Sequence, residues 1–278
     1  ERFPPADGLL DIADEFDAFL FDAFGVLVLG DTAIAGTQAV VARVREMGKT
    51  VLILSNAATD DASEQHAKYD RLGYAFTADE VLSSRSVLLA SLNVAASNRN
   101  WGAMLPAGSS LVGLPSGTVT PAADAGRFWN AEGYLLLSSK MWNSDMQSRL
   151  EHRLTVRRVP VLVGNPDLVA PRETGLTLEP GFYAHALLDR LDCDVRFFGK
   201  PFASAFELAL ERIGQARGHV DRWRVAMAGD TLHTDILGGA AAGLRTVLVT
   251  NHGVLKGQDV TGLIRTSGII PDYVVPGI

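Results

Sequence analysis

The stretch FLFDAFGVL, residues 19–27, decides how this chain folds. The apolar run from Phe19 to Phe21 predicts a buried strand of a parallel sheet, because such strands are covered on both faces and form continuous hydrophobic runs. Asp22 follows the run directly, and Gly25 allows a turn. Ligands of open α/β sheets bind at the carboxyl ends of the strands. Asp22 is therefore a candidate functional carboxylate, although an aspartate that only forms the turn explains this stretch equally well when it is considered alone.

Three later segments repeat this pattern of an apolar run that ends in polar residues. They are LILSN at 52–56, FGKP at 198–201 and AGDTLHTD at 228–235. Because parallel strands present their carboxyl ends at one edge of a sheet, we expect the polar ends of all four runs to converge there. In this order and form the segments resemble the four motifs of the haloacid dehalogenase superfamily, most of whose members are Mg²⁺-dependent phosphatases. The resemblance spans nearly the whole chain and implies an α/β fold with a Rossmann-like, doubly wound parallel sheet.

Between Ser86 and roughly Val195, about a hundred residues carry no core motif, and that length is itself enough for a domain. We predict a Rossmann-like core domain from residues 1–85 and 196–278 and an inserted α/β cap domain at 86–195. The apolar run at 195–198 is expected to return the chain to the core sheet.

The segment GNPD at 164–167 lies inside the predicted cap. Its position and sequence resemble the cap loop of the class IIA branch, which includes nucleotide, sugar-phosphate and p-nitrophenylphosphate phosphatases. In that branch the loop faces the active site, so the resemblance implies that Asn165 and Asp167 shape the substrate pocket. A type I turn is the alternative, because Asn-Pro-Asp suits that turn well.

Polar residues also end the second and third runs. Ser55 and Asn56 offer a hydroxyl and an amide that suit phosphoryl oxygens, although the same pair is a common turn or helix-cap signal. Lys200 lies between a glycine and a proline, and Pro201 is expected to open the next helix. By resemblance, Ser55, Asn56 and Lys200 bind phosphate. The resemblance also implies that Lys200 tethers the nucleophile, Asp22.

Asp230 and Asp235 lie five residues apart in the fourth segment. Two carboxylates at this spacing across a strand-to-helix turn can approach one hard cation, which prefers oxygen ligands. Alternatively, Asp230 only forms the turn, and Asp235 is only a charge at the start of the next helix. Together with Asp22, these acids would repel one another unless a cation intervened. We therefore predict a Mg²⁺ site at the three carboxylates, to which the resemblance adds the backbone carbonyl of Phe24.

Phe24 is where the chain departs from the family pattern. Most phosphatases of the superfamily read Asp-x-Asp, and the second aspartate protonates the leaving group and then activates water. This chain reads Asp22-Ala23-Phe24, and a phenylalanine cannot exchange a proton. True haloacid dehalogenases also carry an aromatic residue here, but they lack the metal-binding acid pair and place a helical cap closer to the first motif. The chain more closely resembles a class IIA subgroup with an aromatic residue in place of the second aspartate.

Composition narrows the possible partners. The net charge of −7 argues against nucleic acid and against anionic membranes, because like charges repel. The single cysteine, Cys193, excludes an internal disulfide and fits a reducing compartment. The first residues lack the basic and apolar regions of a signal peptide, and no apolar run is long enough to cross a bilayer, so a cytoplasmic protein is the default expectation.

Two functions of different classes remain. In the first, the protein is a Mg²⁺-dependent phosphatase of small phosphorylated metabolites, such as sugar or nucleotide phosphates, in which Asp22 forms an aspartyl-phosphate. It is expected to be weak or selective because of Phe24, and to form a homo-oligomer, if any, through the cap. In the second, a degraded enzyme binds a phosphorylated ligand without turnover. Retention of the four motif residues favours the enzyme, loss of the acid/base favours the binding protein, and a dehalogenase ranks below both.

Overall fold

The computed structural model of the chain describes residues 6–92, 98–172 and 175–278. The chain divides into two compact units. The core unit comprises Glu1–Ser55, Ala62–Leu82 and Lys200–Ile278, and the inserted unit comprises Asn56–Asp61 and Ser83–Gly199. The inserted unit thus takes in residues 56–61, 83–85 and 196–199, which the sequence-based division assigns to the core domain.

Strands and helices alternate through most of the chain. The strands are β1 Ala18–Phe21, β2 Val28–Leu29, β3 Thr32–Ala33, β4 Thr50–Ser55, β5 Val81–Ser83, β6 Trp101–Met104, β7 Gly133–Leu136, β8 Val161–Val163, β9 Val169–Arg172, β10 Gly175–Leu178, β11 Val195–Phe197, β12 Val225–Gly229, β13 Arg245–Val249 and β14 Tyr273–Val275. The α-helices are α1 Thr37–Glu46, α2 Ala62–Arg71, α3 Ser84–Ser91, α4 Ala125–Trp129, α5 Ser144–Val156, α6 Pro180–Arg190, α7 Ala203–Arg217, α8 Leu237–Ala241 and α9 Val260–Ser267. Among the described residues, no helix is both long and apolar enough to span a lipid bilayer.

The core unit is built on a six-stranded sheet in the order β14-β13-β12-β1-β4-β5. The pairings from β14 to β4 are parallel. All four residues of β1 and all five of β12 are buried, as expected for strands covered on both faces. The α/β fold class with a doubly wound sheet, predicted from the sequence, is confirmed.

The position of β1 in this sheet determines where the polar ends of the strands meet. β1 lies between β4 and β12, with Phe21 opposite Ile53 on one side and Ala228 on the other. All three strands run in the same direction, so the residues that follow them share the carboxyl edge of the sheet. Asp22 follows β1 and Asp230 follows β12, while Ser55 is the last residue of β4.

The inserted unit has its own four-stranded parallel sheet, in the order β11-β8-β7-β6. Its core combines aliphatic and aromatic side chains: Phe128, Trp129, Tyr134 and Trp142 are buried together, and Trp101 of β6 is also buried. Asn143 caps α5 by accepting a hydrogen bond from the amide of Met146. β9 and β10 pair with each other in a separate antiparallel sheet.

The expected return of the chain to the core sheet at 195–198 is wrong. Val195–Phe197 forms β11, the edge strand of the inserted sheet, and pairs in parallel with β8 from Val195 opposite Val161 to Phe197 opposite Val163. A short apolar run indicates a strand but carries no information about its partner, because pairing depends on contacts distant in sequence. The third motif therefore follows a strand of the inserted sheet, and the core unit resumes at Lys200.

Candidate active site

The first two site residues are placed by the ladder of the core sheet. The amide of Asp22 donates a hydrogen bond of 2.8 Å to the carbonyl of Ala228, which continues the pairing of β1 with β12 by one step. Asp230 lies two residues beyond Ala228, directly after β12. The carboxylates of Asp22 and Asp230 therefore emerge from neighbouring strands at the same edge.

Lys200 links this edge to the fourth motif. Its side chain is only 2% exposed, and its Nζ lies 2.6 Å from Asp22 Oδ1 and 2.7 Å from Asp235 Oδ1. Burial alone would lower the pKa of Lys200, but the charges of Asp22 and Asp235 outweigh it and raise that pKa, so the ammonium stays protonated. The structure thus brings together the lysine and two of the carboxylates that the sequence singles out.

The fourth motif differs from expectation in where its helix begins. The sequence suggests that Asp235 starts the helix, whereas the structure has a π-helical turn over Leu232–Ile236 followed by α8. Asp235 lies inside this turn, and its Oδ2 accepts a hydrogen bond of 3.0 Å from the amide of Thr231. A Cβ on Gly229 would collide with the Asp235 carboxylate, so the glycine lets this carboxylate pack against the end of β12. Pro201 likewise precedes the helix rather than opening it, because α7 begins at Ala203.

Asp230 is held by groups that the sequence analysis missed. Its Oδ2 accepts a hydrogen bond of 2.9 Å from the amide of Val254, and its Oδ1 accepts one of 3.0 Å from the Thr231 hydroxyl. Burial, followed by the charge of Asp235, raises the pKa of Asp230 to about 7. Val254 lies in the loop after β13, and the only signal for it in the sequence is that this loop also follows an apolar run.

Two glycines allow the loops around Asp230 to approach each other. Gly25 has φ +77° and Gly253 has φ +65°. A Cβ on Gly25 would lie 2.9 Å from the Gly253 Cα, and one on Gly253 would lie 3.0 Å from the Gly25 Cα. A Cβ on either would also collide with the Asp230 carboxylate. Glycine at both positions is therefore a steric requirement of the site.

The three carboxylates form a group that suits a hard cation. One oxygen from each of Asp22, Asp230 and Asp235 lies within 4.8 Å of the others. Burial raises the pKa of Asp22 well above its usual range, against the opposing attraction of Lys200, and the charges of Asp235 and Asp230 add to the rise. When ionised, the three acids carry three negative charges against the one positive charge of Lys200, and this excess favours a divalent cation. Their carboxylate oxygens are also the ligands that such a cation prefers. Phe24, two residues after Asp22, is half-buried and forms an isolated bridge with Val28.

The two residues assigned to phosphate binding at the end of β4 have different surroundings. Ser55 is the last residue of the strand and is partly exposed. Asn56, the next residue, is buried, and its Nδ2 donates a hydrogen bond of 2.8 Å to Asp167 Oδ1. The assignment of Asn56 to phosphate stays a prediction, and the structure gives its amide a carboxylate partner.

The GNPD loop is held by the side chain of Asn165, and residues 164–167 do not form a hydrogen-bonded backbone turn. Asn165 is buried, and its Oδ1 accepts a hydrogen bond of 3.0 Å from the amide of Asp167. The Asn165 Nδ2 donates one of 3.2 Å to Glu179 Oε2. Both polar ends of the Asn165 side chain are therefore used inside the inserted unit, whereas Asp167 is partly exposed. This geometry fits a structural role for Asn165, and the pocket role predicted for both residues stays a prediction.

Comparison with known proteins agrees with this geometry. A haloacid dehalogenase-like hydrolase profile matches residues 19–109, and a HAD-hydrolase-like profile matches residues 197–278. The glycerol-3-phosphate phosphatase of Gallus gallus is 26% identical over 94% of this chain and 89% of its own. The structure of a possible sugar phosphatase of the HAD superfamily from Cytophaga hutchinsonii has a TM-score of 0.86 and 25% identity, with 98% of both chains covered. That of a p-nitrophenyl phosphatase from Archaeoglobus fulgidus has a TM-score of 0.78 and 24% identity, covering 94% of this chain and 96% of that one. The chain therefore belongs to the haloacid dehalogenase-like hydrolases, in their class IIA branch.

Proposed function

We propose that this hydrolase is a Mg²⁺-dependent phosphatase of small phosphorylated metabolites, such as sugar or nucleotide phosphates. The observation that carries the proposal is Lys200, a buried ammonium within 2.7 Å of both Asp22 and Asp235. A lysine in this position holds the nucleophilic carboxylate and leaves positive charge beside it for phosphoryl oxygens. The phosphatase names of similar proteins, among them the glycerol-3-phosphate phosphatase of Gallus gallus, agree with this activity.

Mg²⁺ would be held by the carboxylates of Asp22, Asp230 and Asp235 and by the backbone carbonyl of Phe24. When bound, the ion supplies charge that neutralises the phosphoryl oxygens as the phosphorus is attacked. The fit rests on the donor set, which consists of hard oxygens, and on the excess of buried negative charge.

Asp22 is the proposed nucleophile. Its Oδ1 accepts hydrogen bonds from Lys200 Nζ and from the amide of Ala23, so we assign the attack on phosphorus to Oδ2. The new bond from Oδ2 to phosphorus forms as the bond to the leaving oxygen breaks, and water then hydrolyses the aspartyl-phosphate. Lys200 and Ser55 would bind phosphoryl oxygens in both steps. Lys200 is protonated before the attack because two carboxylates flank it.

Phe24 limits which substrates react. It cannot protonate a leaving alkoxide, so the chain favours leaving groups that are stable as anions, or it uses a proton donor outside the first motif. Substrate selection is assigned to the GNPD loop, with Asp167 as the contacting group and Asn165 as a pocket residue. The same phenylalanine is the one observation that favours a second function, in which a degraded site binds a phosphorylated ligand without turnover.

A phosphate-release screen separates the two functions. Wild type and Asp22→Asn are assayed with aryl, sugar and nucleotide monophosphates, each in MgCl₂ and in EDTA. The phosphatase predicts release that requires both Mg²⁺ and Asp22. If ligands bind in a calorimetric titration but no substrate releases phosphate, the binding protein is the correct description.

A further inference from the structure

The side chain of Asn56 is buried and hydrogen-bonded to another residue of the chain. The residue is only 7% exposed, and its Nδ2 lies 2.8 Å from Asp167 Oδ1. An ionised carboxylate can only accept hydrogen bonds, so the orientation of the amide follows from the chemistry of Asp167. A hydrogen bond to an ionised acceptor is stronger than one between neutral groups. The amide of Asn56 is thus directed at a carboxylate of the chain itself.

The backbone of Asn56 is fixed as well. The hydroxyl of Ser84, a fully buried residue, lies 2.8 Å from the Asn56 carbonyl and 3.1 Å from that of Ala57. Gly199, with φ +107°, also packs against Asn56. A Cβ on Gly199 would lie 2.7 Å from Asn56 Oδ1, 2.9 Å from the Ser84 Cβ and 3.0 Å from the Pro166 Cδ. Asn56 therefore has little freedom to turn towards another partner.

Asp167 is restrained from two directions. Asn165 Oδ1 accepts from its backbone amide at 3.0 Å, and Asn56 donates to its carboxylate at 2.8 Å. Asn165 is itself held by Glu179, whose Oε1 accepts from the Thr177 hydroxyl at 2.9 Å. The carboxylate of Asp167 is thus fixed in place while its residue remains partly exposed.

We propose that Asn56 is a positioning residue for Asp167 and not a ligand of the phosphoryl group. The proposal rests on the proposed function, because it takes Asp167 to be the residue that contacts the organic part of the substrate. A fixed carboxylate accepts hydrogen bonds from hydroxyl or amino groups and repels a second anion. The substrate class is therefore monophosphates whose organic part carries hydroxyl or amino donors, in preference to those that carry a carboxylate or another phosphate.

The first test measures binding of inorganic phosphate by calorimetry in MgCl₂, using wild type, Asn56→Ala, Asp167→Ala and Ser55→Ala. The expected result is an affinity within about twofold of wild type for the first two variants and a loss of about tenfold or more for Ser55→Ala, which is the scale of one lost hydrogen bond to a charged group. A loss for Asn56→Ala that matches that for Ser55→Ala, with Asp167→Ala unaffected, would overturn the inference.

The second test compares glycerol 3-phosphate with 3-phosphoglycerate, which carries a carboxylate in place of the terminal hydroxymethyl group. Asn56→Ala and Asp167→Ala should each reduce the preference for the first substrate by about tenfold, through KM rather than kcat, and the double variant should be no worse than either single one. Additive losses would show that the two residues act separately. Asn56→Ser, which keeps a donor, should recover part of the preference and guards against a folding defect in Asn56→Ala.

The two tests keep this inference distinct from the proposed function. If wild type binds phosphate but releases none from any ester, the proposed phosphatase activity is wrong. The calorimetric comparison of the variants still decides whether Asn56 binds the phosphoryl group. If wild type turns over substrates but Asn56→Ala no longer binds phosphate, the inference about Asn56 is wrong and the proposed function stands. A wild type that does neither removes both.

Discussion

The two edges of the core sheet carry acidic residues in contrasting arrangements. At the amino edge, Asp17 precedes β1 and accepts hydrogen bonds of 2.6 and 2.9 Å from the guanidinium of Arg224. Asp272 precedes β14 and lies 2.8 Å from Arg245 Nε. At the carboxyl edge, Lys200 is ion-paired with both Asp22 and Asp235, and the buried Asp230 lies close to these two carboxylates.

The difference distinguishes acids that support the fold from acids kept for chemistry. Paired charges that remain partly exposed contribute little to stability, but they also cost little. Buried charges without matching partners are costly, so their retention points to a function that requires them. The comparison predicts that substitutions at the carboxyl edge change activity and metal dependence, whereas substitutions at the amino edge change only stability.

The largest effect is expected for Asp22→Asn. Removal of the nucleophile should reduce phosphate release by about 10³-fold or more, while the amide preserves the shape of the site. Phosphate release is measured alongside the melting temperature, and Asp14→Asn, at an exposed position, serves as the control. A variant that keeps most of the wild-type rate would rule out the covalent mechanism.

Asp230→Asn should weaken Mg²⁺ binding and remove the stability that the bound metal adds. Bound metal stabilises the wild type by about 2.7 kcal/mol at a concentration one hundred times its Kd, and the variant should lose most of this gain. Without metal the variant should be more stable than wild type, because a buried charge beside Asp235 is removed. Urea denaturation with and without MgCl₂ measures both effects. Asp272→Asn, at the amino edge, should keep the full response to Mg²⁺, and an equal loss there would break the contrast between the edges.

Phe24→Asp adds a fourth acid to the carboxyl edge and restores the missing proton donor. General acid/base assistance is typically worth about 10²–10⁴-fold, mostly for poor leaving groups, so turnover of alkyl phosphates should rise by at least about tenfold and that of nitrophenyl phosphate much less. The gain should fall short of the full range, because the aspartate leaves a void where the ring was. Phe24→Leu, which has no carboxylate, is the matched control. The prediction is wrong if wild type already hydrolyses sugar phosphates at about 1–10³ s⁻¹ and Phe24→Asp is less active than wild type.

The smallest effect is expected for Arg224→Gln at the amino edge. The hydrogen bond from Arg224 lowers the pKa of Asp17, so this pair contributes stability above the ordinary aspartate pKa of 3.8 and loses it as the pH falls through the lowered value. The variant should therefore melt slightly below wild type at pH 7, and the difference should vanish on acidification. Phosphate release should be unchanged. A difference that grows at low pH would contradict the assigned sign.

The carboxyl edge could be predicted well from the sequence because local patterns determine most of it. A continuous apolar run specifies a buried strand, and the residue after it must lie at the end of that strand, which places Asp22 and Asp230. The six-residue strand β4, which ends at Ser55, follows from the same kind of apolar run.

What the sequence could not supply depends on contacts between distant segments. The run at 195–197 looks like any strand of the core, and only its pairing with β8 assigns it to the inserted sheet. The amide of Val254 and the side chain of Asn56 find their partners across 24 and 111 residues of chain, respectively. Neither residue type indicates such a partner by itself.

The close approach of the backbone at Gly25 and Gly253 limits how this protein can be recombined with its relatives. Codon randomisation at either position should return only glycine among active clones, because any side chain would displace Asp230 or the opposite loop. Gly30, also at positive φ but with open space around its Cα, should accept asparagine. A chimaera whose junction falls between the two loops inherits one from each parent, so its success depends on whether both parents carry a glycine at each of these codons.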